Sequence, residues 1–324
     1  DYVIFYDIRG EREIELTQAF VADAFPHFDR EPMTTHWATM IEYHPDLDVR
    51  VAFAPLGDVA DTLSETVSRA GMRQIKIVES EKSVHLDFFL NGKRLEPYPG
   101  EVQKTIPSLE FEGYLPPPEM RAGDVADAAI AAIEDPSLDL IVVNWANVDV
   151  IGHSEDRQAI KRAVSTVDAQ LGRVLEVARA NGVAAVVTAD HGTVEKWYYA
   201  DGSIDTGHTD STVPLLLVAQ HLDKVGLRQG GALTDVAPTV LELLGLDKPS
   251  SMTGSSRLTP SPGASSRVAL LILDGWGDRE DEWGNLILEA DTPVMDRLQQ
   301  TMPYTCIEAA GRAVGLPDSV PGRD

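Results

Sequence analysis

One cysteine, Cys306, among 324 residues leaves no internal disulfide to staple the fold, so stability has to come from packing. Cations are scarce as well: 27 lysines and arginines stand against 52 aspartates and glutamates, a formal net charge of −25 at pH 7. Nucleic acid and anionic membranes would be repelled over most of that surface, so neither is an expected partner, and an anionic small molecule has to be caught by local cations. No uninterrupted apolar run approaches the ~20 residues that span a bilayer. The opening residues Asp1, Tyr2, Val3 and Ile4 carry no basic stretch leading into an apolar one, and the expected location is the cytoplasm. Apolar material, by contrast, is ample at 43% of residues, enough for one large α/β domain or two small ones.

Short β-branched runs alternate with longer segments of helical period, which predicts strands of a parallel sheet covered by helices. Helices are predicted over 58–70, 122–134, 156–180 and 233–244, the last closed by Gly245 as a C-terminal cap. Strands are predicted over 74–78, 84–90, 140–144, 183–188, 213–218 and 268–273. Asn91-Gly92 after the 84–90 run reads as a hairpin turn, adding one antiparallel ribbon. Residues 116–118, three prolines, form an extended connector. The stretch 259–266, rich in Pro, Ser and Gly and without apolar anchors, reads as a linker. Only 58 residues follow it (267–324), too few for a comfortable core of their own, so their strand is expected to join the main sheet.

Three of these strands run straight into metal-ligand chemistry. The strand at 268–273 leads into Asp274, the strand at 183–188 into Asp190 and His191, and the strand at 140–144 into Asp149 and His153; His208 sits on a later loop. Ligand sites of open α/β sheets form beyond the carboxyl ends of the strands, where loops bring distant parts of a chain together. Taken singly, His208 is an ordinary loop histidine and Asp149 with His153 a weak signal that a capping loop also gives, whereas Asp190-His191 is the stronger pair; the weight lies in their number. Carboxylate and imidazole without thiolate suits Mn²⁺, Zn²⁺ or Fe²⁺, with oxygen-rich sites leaning to Mn²⁺ or Mg²⁺. The set is large enough for two divalent cations, of which Mn²⁺ fits best, and a pair of ions about 4 Å apart is suited to clamp the oxygens of a phosphoryl transfer.

The residues around Asp274 sharpen this. Residues 270–277 (Leu-Leu-Ile-Leu-Asp-Gly-Trp-Gly), 290–293 (Ala-Asp-Thr-Pro) and 308–317 resemble the opening of the cofactor-independent (2,3-bisphosphoglycerate-independent) phosphoglycerate mutases of the alkaline phosphatase superfamily. The resemblance extends over most of the chain before the linker: Glu79 to Lys82 with His85, Phe88 and Phe89; Pro118 to Met120; Asn144 to His153; Thr188 to Gly192; and Met252 to Gly254. It implies an alkaline-phosphatase-like three-layer α/β/α sandwich with a mostly parallel central sheet. In that family one metal is held by the equivalents of Asp149, His153 and His208, the other by those of Asp274, Asp190, His191 and a nucleophilic serine. Lys82 matches a lysine that neutralises the transferring phosphoryl group. Arg9 and Arg12 match two arginines that bind the substrate's phosphate or carboxylate, a task suited to the guanidinium fork.

Two departures stand out. The family's amino-terminal strand lies here after its carboxy-terminal helix, so the chain reads as a circular permutant joined through the linker. Most of the family's inserted phosphotransferase domain, with its serine, has no counterpart. Residues 1–48 resemble the end of that domain, 49–258 form the main part of the metal-binding domain, and 267–324 complete it. Direct alignment puts Asp324 at the serine position, as a candidate ligand and phosphoryl acceptor; Ser319 is nearby but out of register. In the second reading Arg323-Asp324 is the acidic lead-in that precedes the equivalent of residues 2–5. The resemblance implies interconversion of 3- and 2-phosphoglycerate through a phosphoserine, reduced here to hydrolysis of phosphate or phosphonate esters if the serine is missing. The partner expected is a small phosphorylated substrate such as phosphoglycerate. The alternative is a catalytically disabled metal-binding scaffold, or half of a split enzyme whose other chain supplies the missing domain.

Overall fold

A computed structural model describes the chain except residues 8–12, 32–34, 45, 54–58, 220–221, 223, 263–266, 319 and 322–324. Two compact units emerge, Asp1–Asp58 and Val59–Asp324. The first holds β1 (Tyr2–Phe5), α1 (Glu13–Val21), β2 (His36–Thr39) and β3 (Arg50–Val51), with the strands parallel in the order β1-β2-β3. Its core is aromatic. Phe5 meets Trp37 and Tyr43 edge-on at 5.8 and 5.7 Å between ring centroids, and Phe20 of α1 tilts over Trp37 at 4.9 Å. Strand alternation turns Tyr2 and Ile4 of β1 outward, and Tyr6, just past its end, is exposed as well.

The larger unit continues with α2 (Leu63–Arg69), β4 (Gln74–Glu79), β5 (Glu101–Ile106), α3 (Ala122–Glu134), β6 (Leu140–Trp145), α4 (Asn147–Gly152), α5 (Arg157–Ala180), β7 (Ala184–Thr188) and β8 (Val213–Val218). It ends with β9 (Gly226–Leu227), α6 (Val236–Leu243), β10 (Leu258–Thr259), β11 (Val268–Leu273), α7 (Pro293–Thr301) and β12 (Tyr304–Ile307). Seven strands form the sheet β12-β8-β7-β11-β6-β4-β5. From β7 to β5 every pairing is parallel, while β8 pairs antiparallel with both β7 and β12. Helices α3 and α5 pack together on β4, β6 and β7, whereas α2 and α6 pack together on β4 and β11. This is the three-layer, mostly parallel sandwich expected. Every residue of β6 and β7 is buried, as strands covered on both faces must be.

The placement of β11 matters most for the site. It follows the Pro/Ser/Gly stretch yet lies in the middle of the sheet, with Val268 opposite both Leu140 of β6 and Ala184 of β7. The register carries Leu273 level with Trp145 and Ile272 level with Thr188. Three parallel strands from distant parts of the chain therefore end side by side.

Four expectations are corrected. Residues 84–90 are not a strand: His85–Phe89 form a π-helix. Both edges of β4 are already taken, by β6 and β5, and the Leu86 carbonyl accepts a bond from Lys76 Nζ at 3.0 Å. Asn91-Gly92 accordingly makes no hairpin, because β5 runs parallel to β4. The first predicted helix begins at Leu63, where the Thr62 hydroxyl accepts from Glu65 N. Over 233–244 a short 3-10 turn, Leu233–Asp235, precedes α6; Gly245 does close it, with φ of 73°.

Lys76 is a charged residue fully buried in β4. Its ammonium lies 3.2 Å from Glu101 and donates to Asn91, whose amide donates to Glu101 in turn. Burial pulls the lysine pKa down, and the charge of Glu101 opposes the fall. Lys76→Ala strands the Glu101 carboxylate and is expected to cost about 3–5 kcal/mol in urea unfolding. The double variant Lys76→Met/Glu101→Leu should recover much of that loss; single and double variants of equal stability would contradict it.

Candidate metal centre

Asp274 follows β11 directly and its residue is fully buried. The tight turn at Gly275, φ 81°, lets the next element come close: a Cβ there would lie 2.8 Å from Asp149 Cα. Asp149, in the first turn of α4, donates its backbone N–H to the Asp274 carbonyl at 3.1 Å. On the other side Asp190, two residues past β7, receives the N–H of Gly275 at 3.2 Å and that of His191 at 2.9 Å. Backbone N–H groups, bonded to the Asp274 carbonyl and to the Asp190 carboxylate, thus link three strand ends and hold three carboxylates in one region.

Imidazoles close it. His153 Nε2 and His208 Nε2 each lie 3.2 Å from Asp149 Oδ1. His208 stacks on His191 at 3.7 Å and on His153 at 5.2 Å between centroids. His191 Nε2 stands 3.6 Å from Asp190, 3.8 Å from Asp274 and 3.9 Å from Asp149. Ligand atoms of Asp149, His191 and His208 lie within 4.8 Å of one another, as do those of Asp190, His191 and Asp274. His191 is therefore common to both groups, where the family resemblance implies it for one metal only, with Asp190, Asp274 and a serine. The Nδ1 of His153 is 2.7 Å from the Thr206 carbonyl; with an N–H there, Nε2 donates to Asp149 when the ring is protonated and offers its lone pair to a metal when the ring is neutral.

Lys82, at the end of the 3-10 turn Ser80–Lys82 after β4, is buried with its ammonium 2.8 Å from Asp149 Oδ2 and 3.2 Å from Asp274 Oδ1. The electrostatics split the two carboxylates. Burial alone would raise Asp149, but hydrogen bonds from His153 and His208 and the charges of Lys82 and His191 hold it well below the ordinary range. Asp274 goes the other way: burial, then the negative charge of Asp190, push it well above, against the pull of Lys82. Asp274 Oδ1 is buried and receives no hydrogen bond beyond that ion pair. Converging carboxylates, one oxygen of which lacks a hydrogen-bond donor, are the chemistry of a cation site, and the donor set fits divalent metal.

Seven of the ten residues singled out in the sequence therefore come together: Lys82, Asp149, His153, Asp190, His191, His208 and Asp274. Arg9, Arg12 and Asp324 lie outside the described residues, as does Ser319. Two participants were not singled out. Asn144, the penultimate residue of β6, donates Nδ2 to Asp274 Oδ2 at 2.9 Å, and the Thr193 hydroxyl donates to Asp149 Oδ1 at 3.2 Å. An asparagine ending an otherwise apolar buried strand was the available signal for the first.

Comparison with known proteins places these features. The metalloenzyme superfamily sequence profile matches residues 14–248 and 266–323. The chain is 40% identical over 259 residues to the 2,3-bisphosphoglycerate-independent phosphoglycerate mutase of Listeria monocytogenes serotype 4b (strain F2365), covering 79% of the chain and 50% of that protein. Against the enzyme of the same name from Pseudomonas fluorescens (strain Pf0-1) it is 41% identical over 260 residues, 80% of the chain and 51% of the relative. The crystal structure of Leishmania mexicana phosphoglycerate mutase at low cobalt concentration superposes with a TM-score of 0.63 at 27% identity, covering 80% of this chain and 50% of that one. The chain spans about half the length of the curated relatives it matches.

The raised pKa of Asp274 has a stability consequence. A carboxyl whose folded pKa lies above its unfolded value favours folding at low pH and loses that contribution as pH rises through the folded value. In EDTA, the wild type should therefore lose stability from the ordinary carboxylate range upward, and Asp274→Asn should flatten that slope and melt higher at neutral pH. The same variant should show a smaller rise in Tm on adding Mn²⁺. A variant that melts lower than wild type in EDTA at pH 7 would contradict the assignment of repulsion to Asp274.

Proposed function

The chain belongs to the metalloenzyme superfamily, and on that footing we propose that it is a divalent-metal-dependent phosphoryl-transfer protein acting on a small phosphorylated substrate. The observation that carries this reading is the meeting of three carboxylates, three imidazoles and one buried lysine at the carboxyl ends of adjacent parallel strands. Asp149, His153 and His208 would hold one cation, Asp190, His191 and Asp274 the other. Mn²⁺ is the favoured ion for this mix of oxygen and nitrogen donors, with Zn²⁺, Fe²⁺ and Mg²⁺ as alternatives. Two such cations, when bound, supply Lewis-acid stabilisation of phosphoryl oxygens.

The chain's own residues supply the rest. With its two carboxylates otherwise engaged, the Lys82 ammonium pairs with a phosphoryl oxygen and stabilises charge that develops during transfer. Arg9 and Arg12 are the proposed anchors for the substrate's phosphate or carboxylate. The mutases to which the chain is similar make phosphoglycerate the substrate of choice, with interconversion of its 3- and 2-phosphates as the reaction, or ester hydrolysis if no nucleophile replaces the family's serine. Asp324 is the candidate replacement. We read residues 1–48 as the end of a phosphotransferase domain and 49–258 with 267–324 as one permuted metal domain. The cytoplasm is the proposed compartment; no helix among the described residues is long and apolar enough to cross a membrane.

A second reading, half of a split enzyme, is favoured by one observation. The β1 edge of the small sheet is unpaired among the described residues, and Tyr2, Ile4 and Tyr6 are 84%, 73% and 83% exposed. Such an edge and apolar face suit a further chain supplying the rest of the domain.

The test is turnover of 3-phosphoglycerate and of p-nitrophenyl phosphate with added Mn²⁺. Formation of 2-phosphoglycerate supports a mutase, and phosphate release alone supports the hydrolytic form. Where either occurs, Lys82→Met should lower kcat roughly 10²–10³-fold. No turnover, but activity on adding a phosphotransferase fragment, supports the split enzyme; no turnover in any mixture overturns the catalytic reading.

A further inference from the structure

Glu195 lies outside both ligand groups, yet its residue is fully buried. Its carboxylate accepts the backbone N–H of Thr193 at 3.0 Å through Oε2 and the hydroxyl of Thr209 through Oε1. Among the described residues no lysine, arginine or histidine forms an ion pair with it. A buried carboxylate is costly, and one held by only two neutral donors calls for an explanation.

Its surroundings supply one. The carboxylate occupies a slot made by two glycines: a Cβ on Gly277, in the turn after β11, or on Gly192, after β7, would run into it. The slot is thus walled by the loop carrying Asp274, the loop carrying Asp190 and His191, and Thr209, next to His208. Each contact leads one step further to a ligand. Thr193, whose N–H Glu195 holds, directs its hydroxyl to Asp149 Oδ1 at 3.2 Å and lies 3.3 Å from His191 Nδ1. Thr209, whose hydroxyl Glu195 holds, is bonded through its own N–H to the Gly192 carbonyl at 2.9 Å. The segment around Glu195 is fixed in turn, with Val194 O accepting from Leu286 N at 3.0 Å and Trp197 N donating to Gly284 O at 2.9 Å.

We infer that Glu195 is a positioning residue for the metal centre: one carboxylate that sets the mutual placement of the His191 and His208 loops and, through Gly277, of the Asp274 turn. The inference rests on the metal reading given above. Partners one step beyond the ligands fix ligand geometry, and their loss commonly costs about 10–100-fold in metal affinity. Glu195→Gln keeps the volume but replaces one acceptor oxygen with a donor, which faces either an N–H or a hydroxyl already committed to donating. Glu195→Asp keeps the charge but shortens the reach by one methylene, so it cannot hold both partners. Thr209→Val removes the hydroxyl's bond to Glu195, together with the long one it accepts from Ser211 N at 3.3 Å, and leaves the carboxylate in place.

The test is Mn²⁺ binding by isothermal titration calorimetry on the whole chain, with circular dichroism in EDTA to establish that each variant is folded. Glu195→Gln and Glu195→Asp are expected to bind Mn²⁺ about 10–100-fold more weakly than wild type, with Thr209→Val between them and wild type. Thr209→Val alone decides if the Glu195 variants do not fold. Variants that bind Mn²⁺ as tightly as wild type overturn the positioning role while leaving the metal centre standing. An Asp variant with wild-type affinity beside a weakened Gln variant also overturns it, since charge alone would then be what counts. A wild type that binds no Mn²⁺ overturns the metal reading itself, and this inference with it.

Discussion

The carboxylate of Asp274 at the end of the central strand is the constraint around which the rest of the site is arranged. β11 has neighbours on both sides, so the residue that follows it is cut off from water by the loops of β6 and β7. A carboxylate there cannot be left to solvent and must find donors or cations within the protein. Asn144 supplies one bond and Lys82 an ion pair, His191 helps from 3.8 Å, and the charges on Asp190 and Asp149 are of the wrong sign. The arrangement is unfavourable for a cation-free protein and favourable for one that binds cations.

That trade explains features that look unrelated in sequence. Lys82 bridges two carboxylates that belong to different prospective metal sites, which makes it an internal counter-charge. His153, its pKa raised by its bond to Asp149, contributes in the same sense when protonated. Glycines at 275 and 277 sit where backbone and carboxylate approach too closely for a side chain. Stability is sacrificed locally at Asp274, as functional sites commonly require, while the apolar strands β6, β7 and β11 carry the fold around it.

Much of this was legible from residue order. Fully apolar strands announce burial on both faces, and ligands placed just after them announce a site at their carboxyl ends, so Asp149, Asp190 and Asp274 could be grouped without coordinates. The Pro/Ser/Gly-rich sequence at 259–266 followed by too few residues for a separate core also pointed to a strand joining the main sheet, though not to its central position. The segment 84–90 was misjudged because alternating Val84, Leu86 and Phe88 mimics a strand, and only the occupied edges of β4 show that no partner is left. Glu195 and Thr193 carried no signal: a Glu five residues past Asp190 reads as solvated until the two glycines that shelter it are seen to face it. Sequence spacing identifies ligands better than it identifies what holds them, because holding is done by contacts between loops.

The most direct test of the central claim is anomalous diffraction from crystals grown with Mn²⁺. The expected result is two peaks, one bounded by Asp149, His153 and His208 and one by Asp190, His191 and Asp274, with the Lys82 ammonium displaced from at least one of its carboxylates. Absence of any peak among these residues, with Lys82 still bridging Asp149 and Asp274, would show that the lysine is the permanent counter-ion and that the cluster is a structural ion network rather than a metal centre.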